Sequence, residues 1–161
     1  MTIERRAARV LLVADGAVLL IQGHDPSRPD AERWWHVPGG GIDEHETPAA
    51  AAAREVFEET GLRVSEADVG PVIATRVAEF EFDREHYHQE ECFFAVPVRR
   101  FTLTADGWEQ HEHRSLLDHR WWTADELAAT RERIYPGELA TLLRAVLAGP
   151  VDPPLRLRFD R

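Results

Sequence analysis

The sequence predicts one layered domain of the α/β (α+β) class, with helices packed on a mixed β-sheet. Three observations carry this. Short apolar runs with strand-like alternation interleave with segments of helical periodicity along 161 residues, the size of one well-cored domain. Hairpin signals join strands to one another, which favours a mixed sheet over a purely parallel one. No repeat or linker divides the chain, so residues 1–161 read as a single unit.

The elements follow in order. "RRAARVLLVADGAVLLIQ" holds two apolar runs around Asp15-Gly16, a two-residue hairpin turn. "GHDPSRPDAER" is a polar loop, and "WWHVPGGG" is a short strand ending in Gly39, Gly40 and Gly41. Thr47 can N-cap a helix with Pro48 at its first position and Gly61 past its end. Residues 69–82 and 87–98 read as two longer strands joined by the turn "DREH". From about Gly107 the pattern turns helical, "RWWT" is extended, helices resume at 124–129 and 136–148, and the tail "GPVDPPLRLRFDR" reads as irregular.

Composition narrows the function classes. The net charge is −10, and every basic residue other than histidine is arginine. Duplex nucleic acid needs a basic face, so such a partner is not expected. Small anionic ligands fit this balance if metal ions mediate the contact. The single cysteine, Cys92, excludes an internal disulfide and a cysteine-rich zinc site; in the run "CFFAV" it reads as an inert core thiol. The opening residues lack the apolar core of a secretory signal, and no apolar run is long enough to span a bilayer. The expectation is a cytoplasmic protein with no membrane partner.

The helix over 48–60 carries the chemistry. Ala49, Ala52, Ala53, Val56, Phe57 and Thr60 form its apolar stripe, with Ala51, Glu55, Glu58 and Glu59 opposite and Arg54 beside them. Three glutamates at i, i+3 and i+4 repel one another, and two of them lie in the last turn, where the helix dipole favours cations. A solvated acidic face is the ordinary reading of such a pattern. Carboxylates packed this closely, after a glycine turn that lets backbone carbonyls approach, also form a hard-oxygen site suited to Mg²⁺ or Mn²⁺.

From Gly40 to Leu62 the chain reads "GGIDEHETPAAAAAREVFEETGL". This closely resembles the Nudix hydrolase signature G-x5-E-x7-R-E-U-x-E-E-x-G-U, with every specified position matched. The resemblance extends to "WWHVPGGG", the opening hairpin and "HRWWTADEL". It implies an α/β/α sandwich around a mixed sheet and hydrolysis of a diphosphate linkage in a nucleoside triphosphate or a nucleoside diphosphate joined to some group X. It also implies that Glu55, Glu58, Glu59 and the Gly39 carbonyl bind Mg²⁺, with Mn²⁺ as a possible substitute. Arg54 and Glu46 match positions that hold the loop against the helix, through an expected ion pair. The general base in the family is a motif glutamate, here Glu55 or Glu58, or one on a later loop, where Glu109, Glu112 and Asp118 stand and Glu112 has the favoured spacing. A homodimer is a further family-based expectation.

The doublets Trp34-Trp35 and Trp121-Trp122 put one indole on each side of an extended segment. Trp35 and Trp121 are taken as the ones that stack on a nucleobase, and Arg28, Arg33, Arg76 and Arg84 as arginines able to meet phosphates. The pairs His86/His88 and His111/His113 have a spacing that could bind zinc on a strand, or else are surface histidines. Two other activities compete with hydrolysis: a catalytically silent nucleotide sensor, and an isomerase on isoprenoid diphosphates, for which Cys92 is poorly placed.

Overall fold

The structure, a computed structural model, describes residues 1–101 and 118–158. The helical stretch expected from Gly107, with Glu109, Glu112, His111 and His113, lies outside them. Strand β1 (Thr2–Ala14) turns through Asp15 and Gly16, at φ 51° and 76°, into β2 (Ala17–Gly23). The segment "WWHVPGGG" forms two short strands, β3 (Trp34–His36) and β4 (Gly39–Gly41). Helix α1 (Pro48–Thr60) has the bounds its caps predict. Thr47 accepts from the Ala50 amide, and Gly61, at φ 79°, donates its own amide to the Phe57 carbonyl.

The strand expected over 69–82 divides in the structure. A reciprocal cap between Ser65 and Asp68 closes a one-turn helix α2 (Glu66–Val69), and β5 (Ala74–Phe82) begins only after it. The hairpin to β6 (Glu85–Pro97) is tighter than "DREH", because Asp83 and Arg84 both take positive φ and close it in two residues. Then come β7 (His119–Thr123), α3 (Ala124–Ala129), β8 (Arg133–Tyr135), α4 (Leu139–Ala148) and β9 (Leu155–Arg156). Helix α4 starts three residues later than expected, since 133–135 pair with β3 and a turn closed by the Leu139 amide on the Pro136 carbonyl comes between, and the tail read as irregular adds β9 beside β5.

The described strands form one mixed sheet in the order β8-β3-β2-β1-β6-β5-β9, with β4 paired to β1 and β7 to β2. Its backbone is the long parallel pairing of β1 with β6, from Thr2 opposite His86 to Val13 opposite Pro97. Alternation along β1 sends Ala8, Val10 and Leu12 to one face, against Ala51, Ala52 and Val56 of α1. Leu11 faces the other side, with Leu127 of α3 and Leu139, Leu142 and Leu143 of α4. Two apolar layers on one sheet make the α/β/α sandwich. Ala51, placed opposite the buried stripe by periodicity, is fully buried, because α1 also packs against β4. Among the described residues, no helix is long and apolar enough to cross a membrane.

Candidate active site

Arg54 organises the glutamate cluster. Its Nε and Nη2 donate to the two oxygens of Glu46 at 2.8 and 2.9 Å, the expected ion pair in fork-to-fork form. Nη2 also donates to the Gly41 carbonyl at 2.9 Å, while Nη1 reaches Glu55 at 2.9 Å and Glu58 at 3.3 Å. One guanidinium thus ties the loop before α1 to two of the crowded glutamates. These bonds hold the Glu46 carboxyl below the usual carboxylate range despite partial burial. Glu55 moves the other way: burial raises its pKa, and Arg54 offsets only part of that.

The glycine turn is shaped around these acids. A Cβ on Gly40 would lie 2.6 Å from Glu55 Oε1, and one on Gly39, at φ 150°, would lie 2.3 Å from the Ala8 carbonyl. At Gly39, where the neighbours are backbone atoms and φ is positive, only glycine fits, while a side chain on Gly40 would push the Glu55 carboxylate aside. The Gly39 amide donates to Glu59 Oε2 at 3.3 Å, and its carbonyl accepts from Arg9 Nη1 at 3.1 Å.

Gly39 and Glu59 open on a cavity of about 870 Å³. Its floor is the face of the sheet that carries Arg5, Arg9, Arg76, Gln89 and Glu91, and its walls include Trp34, His36, Tyr87 and Tyr135. The Glu91 carboxylate, 3% exposed, accepts from Arg9 Nε at 3.0 Å, Arg76 Nε at 2.6 Å and Gln89 Nε2 at 2.7 Å. Burial pushes its pKa up, and the two arginines outweigh this and hold it below the ordinary value. Burial, helped by Arg9, lowers His36 to about 4, so the ring is neutral. With its Nδ1 3.0 Å from the Val37 carbonyl, the proton sits on Nδ1 and Nε2 is left as an acceptor.

The tryptophans divide as alternation requires, but the cavity receives the other member of the first pair. Trp34 lines it, edge-on to Phe82 and Tyr135. Trp35, 6% exposed, is core: it packs edge-on against Trp122, and its Nε1 donates to Glu132 at 3.1 Å. Trp121 lies on the α1 side of the sheet against Phe101 and under Arg100, away from the cavity. Arg28 and Arg76 line the cavity, Arg33 donates to Gln22, and Arg84 sits in the exposed β5–β6 turn. Asp118 is exposed, and its carbonyl accepts from the Gln22 amide. His88 Nδ1 lies 3.3 Å from Glu79. The floor residues Arg9, Gln89 and Glu91 went unsingled in the sequence. Their signal is polar residues recurring at every second position within strands that are otherwise buried.

Among the described residues, no three His, Cys, Asp or Glu side chains stand as a formed metal cluster. Glu55 and Glu58 are turned to Arg54, and Glu59 to the Gly39 amide. The donor set nonetheless fits a hard divalent cation. It is all oxygen, and a single guanidinium faces the carboxylates of Glu46, Glu55 and Glu58, which leaves the cluster net negative.

Comparison with known proteins agrees with this architecture. The model of the NUDIX domain matches residues 3–143, and the chain belongs to that family. Its members generally use divalent metal ions. An RNA pyrophosphohydrolase of Mesorhizobium japonicum is 40% identical over 67 residues, 38% of this chain and 39% of the relative. The CTP pyrophosphohydrolase of Escherichia coli is 30% identical over 138 residues, covering 86% of this chain and 87% of that protein. The chain spans less than two thirds of the length of the RNA pyrophosphohydrolases it matches first. The crystal structure of a MutT protein from Methanosarcina mazei shares the fold, with a TM-score of 0.62 at 20% identity over 90% of this chain and 94% of that one.

Proposed function

We propose that the chain is a Mg²⁺-dependent cytoplasmic pyrophosphohydrolase that cleaves the diphosphate linkage of a small nucleotide, either a nucleoside triphosphate or a nucleoside diphosphate joined to X. One observation carries this reading: Glu59 at the end of α1 and Gly39 of the glycine turn open on the same cavity as the arginine floor and the aromatic wall. The pyrophosphohydrolase names of the relatives support it.

Glu55, Glu58, Glu59 and the Gly39 carbonyl would hold the metal, which when bound neutralises the diphosphate and acidifies a water. The chain's own residues do the rest. On the floor Arg5, Arg9 and Arg76 outnumber the buried Glu91, so guanidinium groups stand ready for the phosphates of a substrate within a cavity whose walls also carry Asp25, Glu32, Glu79 and Glu81. Trp34 and Tyr135 offer aromatic surface to a base, the role expected of Trp35 and Trp121. Arg54 and Glu46 hold the glycine turn against the helix. Water attacks one phosphorus, the bond from that phosphorus to the bridging oxygen breaks, and a carboxylate takes the water proton. Glu55 and Glu58 are the bases within the described residues, and Glu112 is the one outside them.

The test is release of phosphate and nucleotide from triphosphates, nucleotide sugars, ADP-ribose and dinucleoside polyphosphates, with Mg²⁺, Mn²⁺ or chelator. The expected outcome is metal-dependent cleavage that Glu59→Gln abolishes. Nucleotide binding without turnover on any member would replace the hydrolase by a sensor.

A further inference from the structure

Gln89 sits where packing alone would place an apolar residue. It is fully buried in β6, lines the cavity, and lies in register between Arg5 of β1 and Ala78 of β5. Its Nε2 donates to Glu91, and its Oε1 has no hydrogen-bond partner. Turning the amide over would set Oε1 against the Glu91 carboxylate, acceptor against acceptor, so the orientation is fixed. Glu91 is itself clamped by Arg9 and Arg76. The result is an acceptor set in advance. Beside it, Arg5 buries its Nε without a hydrogen-bond partner, while the guanidinium lies over the Tyr87 ring and near Gly41.

A buried acceptor and a buried donor without partners, on residues paired across β1 and β6, match an edge that presents an amino group next to an unprotonated ring nitrogen. Cytosine and adenine carry that edge. Uracil and hypoxanthine carry the reverse order, a carbonyl next to a ring N–H. Resting on the reading of the cavity as a nucleotide site, we propose that Gln89 Oε1 and Arg5 Nε read this edge, so that the enzyme selects amino-bearing bases. A substrate whose phosphates are held at the glycine turn cannot slide by one ring position to exchange donor for acceptor. Meeting an oxo base would then leave both protein groups unpaired, a penalty of about tenfold or more in selectivity.

The experiment compares kcat/KM for CTP against UTP and for ATP against ITP, in Mg²⁺, for the wild type, Gln89→Met and Arg5→Met. Melting curves accompany each variant. The expected result is preference for the amino partner in both pairs by about tenfold or more, falling toward equality in Gln89→Met mainly through KM. Equal use of both partners by the wild type overturns the proposal. So does a ratio unchanged in a folded Gln89→Met, which would make Oε1 the partner of a structural water. Should Gln89→Met not fold, the same ratios in Arg5→Met decide. No turnover of any nucleotide removes the hydrolase reading, and this one with it.

Discussion

Trp34 and Trp35 are neighbours with different tasks. Trp35 fills the core against Trp122, and Trp34 presents its ring to the cavity. Replacing Trp35 by alanine should cost about 3–5 kcal/mol of stability, as for other large aromatics cut from a core. Trp34→Ala should leave the melting temperature close to that of the wild type and raise KM about tenfold, the value of a lost stacking contact. Steady-state kinetics beside thermal melts separates the two. The reverse assignment would return Trp35 to the substrate. Alternation in "WWH" says that the two indoles oppose each other. Which side holds the cavity depends on where β8 and α4 pack, and neither is a neighbour in sequence. That choice was not legible from the residues alone.

At the scale of elements, α1 is the part most open to sequence reasoning, because its determinants are local. The Thr47 cap, Pro48, the alanines and Gly61 fix its bounds without help from elsewhere. The acidic face and its link to Arg54 and Glu46 follow from the motif. By contrast β8, β9 and α2 have two to four residues each and no period to detect. The pairing partners of β8 and β9 lie far along the chain, and long-range contact decides them, while α2 is a single turn closed by its own Ser65–Asp68 cap. The arrangement of α1 also predicts a response to metal. Arg54 is ion-paired with Glu46, Glu55 and Glu58, so Arg54→Met should lower stability by about 2 kcal/mol in chelator, the size of a charged hydrogen bond lost. Millimolar Mg²⁺ should raise the melting temperature of the wild type and recover part of the loss in the variant. Melting curves that do not respond to Mg²⁺ in either protein would count against a metal held by this helix.

For the whole molecule, the titratable groups shielded on the cavity floor and wall set the acid limit of stability. His36 has its pKa lowered to about 4, against 6.5 for a free imidazole. Between these values the unfolded chain binds the proton and the folded one does not, so stability is complete above pH 6.5 and falls as pH drops toward 4. The loss is at most about 3 kcal/mol. Glu91, held below its usual value, adds its own loss at lower pH, as the folded carboxylate is at last protonated. His36→Gln should flatten the melting temperature between pH 6.5 and 4 and leave the steeper limb below it. An unchanged profile would mean that the ring is solvated and titrates normally.

The parallel pairing of β1 with β6 has a consequence for synthesis. Arg9 and Glu91 are 82 residues apart in sequence. On the ribosome the first strand can find β2 and β4 early, yet one of its edges waits until β6 has left the exit tunnel. Contacts of such separation close slowly, because loop entropy is lost before they form. The cavity floor, built from those two strands and β5, is therefore assembled late. A nascent chain would carry its glutamate helix well before it owned a place for a substrate, and an unfilled strand edge in that interval is the surface a chaperone would recognise.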